Sequence, residues 1–122
     1  MADKLLIILM NTDPTNPSEL GTPFMQASVA AAMEYDVEVI FTGRSGELAK
    51  PGIADELYFT EGDDKTVYSL IKDAAGSGVK FKICTSNIEL WGDDLIPEIS
   101  ETVGAAYIIS EAMDDETVTF TY

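Results

Sequence analysis

Short apolar runs that alternate with helical patterns are the feature that most constrains the fold of this chain. The first run, at residues 4–10, is apolar almost throughout and lies between polar segments, which is typical of a strand buried on both faces. Runs at 37–41 and 79–84 predict two further strands of the same kind. Strands that alternate with helices are joined by right-handed crossovers, so we expect a mostly parallel sheet covered by helices on both faces.

Two helices are predicted between these strands. The first begins with Thr22 as its N-cap and Pro23 at its first helical position, and its small and apolar residues cover more than one face. We therefore expect this helix to be well buried. The second helix is amphipathic, with Asp63 or Asp64 as its cap. Its apolar face recurs with the helical period and glycines end it, the residues being Val67, Leu70, Ile71, Ala74, Ala75, Gly76 and Gly78.

The last third of the chain predicts one more helix and two more strands. The helix is expected to begin at Asp93 or Asp94 and to end at Gly104. Residues 105–109 are predicted as the fourth strand, and the β-branched and aromatic residues at 117–122 as the final one.

These elements predict one α/β domain over residues 1–122, because a chain of 122 residues fits a single domain. The expected architecture is a three-layer α/β/α sandwich with a mostly parallel sheet of about five strands, flavodoxin-like in general arrangement. Two specific architectures of this size fit poorly. A response-regulator receiver needs an aspartate where the third strand ends in Cys84, and a flavodoxin phosphate loop would be interrupted by the two prolines of segment 12–22.

The charge balance and the absence of histidine exclude several function classes. Seven basic residues face 22 acidic ones, for a net charge of -15, so the chain repels nucleic-acid phosphates and anionic membranes. Without histidine, Ser-His-Asp catalysis, Cys-His catalysis and histidine metal sites are all excluded. Adjacent acidic pairs such as Asp93–Asp94 are read as helix caps, since neighbours on a chain do not converge on one cation. We predict no metal, no cofactor, no nucleic-acid partner and no membrane partner.

The cysteine content and the apolar runs bear on localisation. A single cysteine, Cys84, cannot form an internal disulfide, which is consistent with a reducing compartment. The apolar run near the N-terminus is too short for the core of a signal peptide, and no stretch approaches a membrane span. We therefore expect a cytoplasmic protein.

Cys84 is the principal candidate for chemistry, because ligands of open α/β sheets bind beyond the carboxyl ends of the strands. Four segments are expected to end there: 11–20, 42–52, 84–92 and 110–116. Cys84 ends the third strand and is followed by Thr85, Ser86 and Asn87. A helical turn beginning at those residues would offer free backbone N–H groups that stabilise a thiolate and lower its pKa. The alternative is a small buried apolar residue, which is the usual role of a lone cysteine.

Other residues of these segments are candidates for lining a pocket. Asn11 and Thr12 begin the loop after the first strand. Trp91 is the only tryptophan, and it either forms a wall of the pocket beside Cys84 or serves packing or an interface. Arg44 is the only arginine, and it either supplies a positive charge near a thiolate or forms an exposed pair with Glu47.

Several segments together resemble the DsrE/DsrF-like family of small sulfur-relay proteins. They are KLLIILM, TPFMQASVAAAM, VEVIFTGRSGELA, GVKFKICTSNIELWG and GAAYII, and they span nearly the whole chain. The resemblance implies a three-layer α/β/α fold and assembly into trimers or hexamers. It also implies that Cys84, in a segment similar to the family's cysteine-containing strand, carries a persulfide.

The function expected from this resemblance is that of a sulfur carrier, similar to a sulfurtransferase, which exchanges sulfur with a donor or acceptor protein. A second hypothesis remains open at this point. The domain would then be a non-catalytic module, binding a small ligand or serving as an oligomeric scaffold, with Cys84 merely packed. Exposed aromatic candidates such as Tyr58, Trp91 and Tyr122 motivate it.

Overall fold

A five-stranded, wholly parallel sheet forms the centre of the protein. The computed structural model describes residues 3–58 and 65–122, apart from the side chains of Pro17 and Trp91. The strands are β1 (Lys4–Leu9), β2 (Asp36–Phe41), β3 (Lys80–Cys84), β4 (Ile99–Val103) and β5 (Thr117–Thr121). Their order across the sheet is β4-β3-β2-β1-β5, and every neighbouring pair is parallel. The α/β fold with a parallel sheet of five strands is thus confirmed.

In the described part of the chain, four α-helices connect these strands: α1 (Gly21–Ala32), α2 (Val67–Gly76), α3 (Thr85–Trp91) and α4 (Ala105–Ala112). Short 3₁₀ segments occur at Pro17–Glu19, Gly43–Ala49 and Ala54–Glu56. The chain steps from β1 to β4 in one direction across the sheet and then crosses back past β1 to form β5. Right-handed crossovers therefore place α4 on the opposite face from α1 and α2.

The two faces of the sheet are buried unequally. On the α1 and α2 side, the rings of Phe24, Phe41 and Phe81 form the centre of a large apolar core, with centroids 5.8–6.4 Å apart. On the α4 side, the apolar cluster is much smaller and consists of Leu6, Ile8, Ile40 and Val103, against which α4 packs. Alternate residues of each strand face the two sides, as expected for a pleated sheet.

The last third of the chain differs from the prediction. The predicted helix that ends at Gly104 is wrong, because Ile99–Val103 forms β4 and pairs with β3. The predicted strand at 105–109 is also wrong, because Ala105–Ala112 is the helix α4, with Gly104 in the N-cap position. Edge strand β4 is exposed at its centre and has no long apolar run, whereas α4 opens with five consecutive apolar residues. A short apolar run alone does not distinguish a strand from a helix.

The first helix is present but less buried than predicted. It begins at Gly21, so Thr22 lies inside the helix, and Leu20 occupies the N-cap position. One face packs into the core through Phe24 and Ala27, as the apolar pattern indicated. The outer apolar side chains Met25, Val29 and Met33 remain 66%, 53% and 61% exposed. The prediction that this helix is well buried is therefore wrong for its outer face.

The second helix is capped by a different residue from the one predicted. Thr66 is the N-cap, and its hydroxyl accepts a hydrogen bond from the backbone N–H of Ser69 at 3.1 Å. The predicted caps, Asp63 and Asp64, lie outside the described residues. The helix ends at Gly76, and Gly78 adopts a positive φ of 107°, so the predicted glycine stop is confirmed.

Candidate functional site

Three of the four segments expected at the carboxyl edge of the sheet lie there. Segment 11–20 follows β1, the 3₁₀ segment Gly43–Ala49 follows β2, and α3 follows β3. The fourth prediction, segment 110–116, is wrong. That segment completes α4 and leads into Thr117, which pairs with the first residue of β1 at the amino edge of the sheet.

Cys84 lies where β3 passes directly into α3. It is both the last residue of the strand and the N-cap of the helix, in an extended conformation with φ -72° and ψ 140°. Its side chain is 9% exposed, and the hydroxyl of Ser86 lies 3.4 Å from its sulfur. Because Thr85 and Ser86 form the first turn of the helix, their backbone N–H groups have no partner within it and are available to the sulfur. The helical turn expected after Cys84 is present.

The surroundings of Cys84 favour the thiolate. Burial by itself raises the pKa of the thiol, since it disfavours the charged form. The hydroxyl and backbone N–H of Ser86, the hydroxyl of Thr42 and the backbone N–H of Thr85 act in the opposite direction and prevail. The pKa of Cys84 is therefore lowered from its usual value by hydrogen bonding rather than by a neighbouring cation.

Thr42 is a residue of this site that the sequence analysis missed. It follows the last residue of β2 and so lies beside Cys84, since β2 and β3 are neighbours in the sheet. Its backbone N–H donates to the hydroxyl of Ser45 at 3.2 Å, and Ser45 in turn lies 2.6 Å from the carbonyl oxygen of Leu9. Thr42 carries a hydroxyl and directly follows the strand next to β3. Once the strand order is known, that position indicates a residue beside Cys84.

Asn87 supports the site from behind. It is 1% exposed, and its amide Nδ2 donates to the carbonyl oxygen of Gly43 at 2.9 Å, which ties α3 to the 3₁₀ segment. It also packs closely on Gly46, because a Cβ at that glycine would come within 2.2 Å of Nδ2. The described contacts of Asn87 thus hold the loop after β2 against the helix that begins at Cys84.

Arg44 is directed towards the loop after β1. Its guanidinium Nη2 lies 3.1 Å from Oδ1 of Asp13, and its side chain is 67% exposed. Hydrogen bonds from Thr15 and the charge of Arg44 hold the pKa of Asp13 below its usual value. The described ion pair of Arg44 is therefore with Asp13 rather than with Glu47, and it does not bring the guanidinium to Cys84.

Asn11 and Thr12 lie at a separate place on the same edge. Together with Thr22 and Tyr122 they line a shallow cavity of about 410 Å³ beyond the ends of β1 and β5. The backbone N–H groups of Met10 and Asn11 both donate to the carbonyl oxygen of Tyr122 at 2.8 Å. Trp91 is the last residue of α3. Its side chain is not among those that the structure describes, so its predicted role as a pocket wall or a packing residue stays a prediction.

A buried ionic cluster lies beneath α4, and the sequence analysis missed it. The carboxylate of Glu38 contacts the ammonium groups of Lys4 and Lys82, and it accepts a hydrogen bond from the hydroxyl of Tyr107 at 2.6 Å. Burial alone raises the pKa of Glu38, but hydrogen bonds from Lys4, Lys82 and Tyr107 outweigh it and lower the pKa to about 2. In the sequence, the charged residues Glu38 and Lys82 inside the apolar strands β2 and β3 were the signal that could have indicated this cluster.

Lys82 precedes Cys84 by two residues and lies on the same face of β3. The carboxylates of the cluster explain why this buried lysine keeps its positive charge. The Lys82 ammonium lies 2.8 Å from Glu38 and 2.6 Å from Glu101. Burial opposes its charge, but these carboxylates raise the pKa of Lys82. Its described contacts are therefore with carboxylates and with Tyr107, not with the thiol.

Comparison with known proteins finds a likeness in structure. No model of a known protein family matches the chain, and no curated protein matches it. Among solved structures, the YchN protein of E. coli is similar over 98% of this chain and 100% of its own, with 14% identity and a TM-score of 0.72. A conserved protein of unknown function from Bacteroides thetaiotaomicron is similar over 98% of this chain and 95% of its own, with 17% identity and a TM-score of 0.66.

The fold is that of YchN. It fits the three-layer α/β/α fold that the resemblance to the DsrE/DsrF-like family implied. At these identities, the likeness shows the fold and leaves the function to be argued from the residues of the chain itself.

Two further observations concern residues 3–58 and 65–122. Within them, no group of three or more His, Cys, Asp or Glu side chains is placed to hold a metal ion. None of the described helices has the length and apolar content needed to cross a membrane.

Proposed function

We propose that this protein is a sulfur carrier in which Cys84 holds a persulfide. The observation that carries the proposal is the position of Cys84 at the junction of β3 and α3, where hydroxyl and backbone N–H donors lower its pKa. A thiolate is the form that attacks sulfur, so a lowered pKa is the property a carrier needs. The YchN fold and the sequence resemblance to the DsrE/DsrF-like family support the same assignment.

The transfer needs no cofactor in the proposed mechanism. The Cys84 thiolate attacks the outer sulfur of a donor persulfide, a new S–S bond forms, and the donor's S–S bond breaks. The donor leaves as a thiolate that takes up a proton, and Cys84 holds the transferred sulfur as a persulfide. An acceptor thiolate then attacks that outer sulfur, and Cys84 returns to its thiolate form. Each step exchanges one S–S bond for another, so no external oxidant or reductant is consumed.

Ser86 and Thr42 have defined roles in this mechanism. The hydroxyl of Ser86 lies 3.4 Å from the sulfur of Cys84, and it and the hydroxyl of Thr42 both lower the pKa of the thiol, which favours the thiolate. The backbone N–H groups of Thr85 and Ser86 act alongside them. As parts of the resemblance to the DsrE/DsrF-like family, we also propose that the protein is cytoplasmic, exchanges sulfur with a partner protein, and assembles as a homo-oligomer, a trimer or hexamer.

Intact mass spectrometry after incubation with a low-molecular-weight persulfide tests the function. We expect an adduct of one sulfur atom on the wild-type chain, removed by a reducing thiol and absent from Cys84→Ser. Ser77→Ala is the matched control, because Ser77 is an exposed hydroxyl at the end of α2, remote from Cys84. Absence of the wild-type adduct, or its persistence in Cys84→Ser, would contradict a carrier role.

The low exposure of Cys84, at 9%, favours one alternative. In this alternative function, the domain is a non-catalytic binding or scaffold module, and Cys84 serves only as a small buried residue of the protein interior. Titration of the native protein with a thiol reagent separates the two functions. A Cys84 that reacts only after unfolding identifies the module, whereas reaction in the native protein supports the carrier.

A further inference from the structure

An apolar groove runs between α1 and the edge strand β5, near the amino ends of the strands and thus at the opposite end of the sheet from Cys84. It encloses about 470 Å³. Six large apolar side chains in it are 39–66% exposed. They are Met25, Val29, Met33, Tyr35, Val118 and Phe120, and we call the surface that they form the α1–β5 face.

The size and openness of this face indicate a protein partner rather than a small ligand. Its volume of about 470 Å³ falls within the roughly 300–1,000 Å³ range of small-molecule pockets. Such pockets bury about 70–90% of their ligand, however, whereas the six side chains here are 39–66% exposed on an open surface. At 39–66% exposure, the six side chains offer on the order of 500 Å² of apolar surface. That is near the upper end for a patch left uncovered on a monomer, and it approaches the ~800 Å² that each partner buries in a stable interface.

The charge pattern of the groove indicates what kind of protein partner it binds. The chain carries 22 acidic residues, yet none of the ten described residues that line the groove is acidic. Lys4 is the one charged residue among them, and its ammonium contacts Glu38 and lies 2.8 Å from Glu111. A basic partner would find no opposing carboxylates in this groove. Two copies of a chain with net charge -15 can, however, meet through these ten residues without opposing carboxylates among them, while Glu34 and Glu111 lie at the rim.

The spacing of the exposed side chains on α1 suits contact with a second helix of the same kind. Met25, Val29 and Met33 are spaced four residues apart and form a single ridge along the exposed side of α1, the kind of ridge that packs against another of its own type. Beside it, β5 is an edge of the described sheet and pairs only with β1. Two such edges can pair antiparallel across a two-fold axis, which also removes an exposed strand edge from solvent.

We infer that the α1–β5 face is an isologous contact between two copies of this chain, in which the α1 ridges pack together beside the β5 edges. In a two-fold contact the same patch is used by both subunits, and the absence of carboxylates among the lining residues is compatible with such a contact. The inference stands apart from the proposed sulfur chemistry, because Cys84 is at the other end of the sheet.

Measurement of the molar mass by sedimentation equilibrium, with a matched pair of variants, tests this contact. Met33 and Met113 are both C-cap residues of exposed helix ends, at 61% and 77% exposure, and only Met33 belongs to the face. We expect Met33→Glu to halve the molar mass of the assembly, because loss of a two-fold contact separates a hexamer into two trimers or a dimer into two monomers. A trimeric wild type has no two-fold axis and overturns the inference. Met113→Glu should leave the mass unchanged. A monomeric wild type, or a mass that Met33→Glu does not lower, overturns the inference.

Cysteine cross-linking gives a second measurement that does not depend on a destabilising charge. In a Cys84→Ser background, Val29→Cys places a thiol at the centre of the ridge, and Ile109→Cys places one on the exposed side of α4. Under mild oxidation we expect a disulfide-linked dimer from Val29→Cys. The control at Ile109 should stay uncross-linked at the same protein concentration. Equal cross-linking of the two variants, or none at Val29→Cys, overturns the two-fold contact even if Met33→Glu fails to fold.

Discussion

The ammonium of Lys82 lies 2.8 Å from the carboxylate of Glu38, and both side chains are less than a tenth exposed. The same two strands carry a second pair nearer their amino ends, Lys80 and Asp36, at 3.6 Å and about half exposed. The two pairs join the same neighbouring strands but differ in burial and in their partners, because Glu38 also contacts Lys4 and Tyr107 and Lys82 also contacts Glu101. Their comparison contrasts a buried ionic cluster with an exposed pair.

Replacement of the buried acid should be far more damaging than replacement of the exposed one. Glu38→Gln removes the buried carboxylate that the ammonium groups of Lys4 and Lys82 share, and leaves each with a single partner that is more exposed, Glu111 or Glu101. We therefore expect a loss of about 3 kcal/mol in the free energy of unfolding. Asp36→Asn removes an exposed pair and should cost no more than about 0.5 kcal/mol. Urea unfolding of the two variants measures both values, and equal losses would show that burial does not set the contribution.

The same carboxylate predicts how stability depends on pH. Because the pKa of Glu38 is lowered from 4.5 to about 2 on folding, its contribution is fully present above pH 4.5 and is lost as the pH falls towards 2. Other carboxylates titrate in that range too, so the informative quantity is the difference between wild type and Glu38→Gln. We expect this difference in the free energy of unfolding to shrink as the pH falls from 4.5 to 2. A difference that stays constant across that window would contradict the assignment.

The fold was predictable as far as Cys84 because β1, β2 and β3 are central strands whose apolar runs report their burial directly. Between Cys84 and β5 the signal is lost, although the strand predicted at 117–122 is present as β5. Edge strand β4 is exposed at its centre, so its hydrophobic pattern does not indicate a buried strand. Helix α4 covers a small cluster with a short apolar segment, and that segment has the pattern expected of a strand. In both segments, the burial of the element in the folded protein, and not the intrinsic preference of its residues, determines which structure forms.

The site was predictable only in the part that is local in sequence. A helical turn after Cys84 was one possibility for Thr85, Ser86 and Asn87, and α3 begins there, whereas the helix predicted from Asp93 or Asp94 does not form. The contribution of Thr42 depends on β2 being the neighbour of β3, which the sequence does not specify. The cluster around Glu38 was likewise hidden, since a charged residue in an apolar strand indicates a partner but not which one.

Alkylation kinetics measure the activation of Cys84. Because hydrogen bonding lowers its pKa, the rate of reaction with iodoacetamide should reach its half-maximum below pH 9.0. Ser86→Ala and Thr42→Val each remove a donor to the sulfur, so both should move the half-maximum to higher pH and slow the reaction at neutral pH. Ser77→Ala should leave the profile unchanged. A wild-type midpoint at or above 9.0, or identical profiles for all variants, would contradict activation by these hydroxyls.

Two helices end in the same hydrogen-bonded motif but with different residues at its strained position. After α1, Glu34 adopts φ 71°, its N–H donates to Ala31 and that of Tyr35 donates to Ala30. After α2, Gly78 has φ 107°, with the equivalent bonds to the carbonyls of residues 75 and 74. A side chain at a positive φ costs about 1 kcal/mol that glycine avoids.

Exchange of residue type at the two positions should therefore have opposite effects. We expect Glu34→Gly to raise the free energy of unfolding by about 1 kcal/mol, because Glu34 is exposed and gives up only its backbone strain. Gly78→Ala should lower it by about 1 kcal/mol or more. A Cβ at Gly78 meets no atom within 4 Å, so that cost comes from the backbone alone. Thermal and urea unfolding of both variants give the two values, and a destabilised Glu34→Gly would show that its side chain makes a contribution larger than the strain.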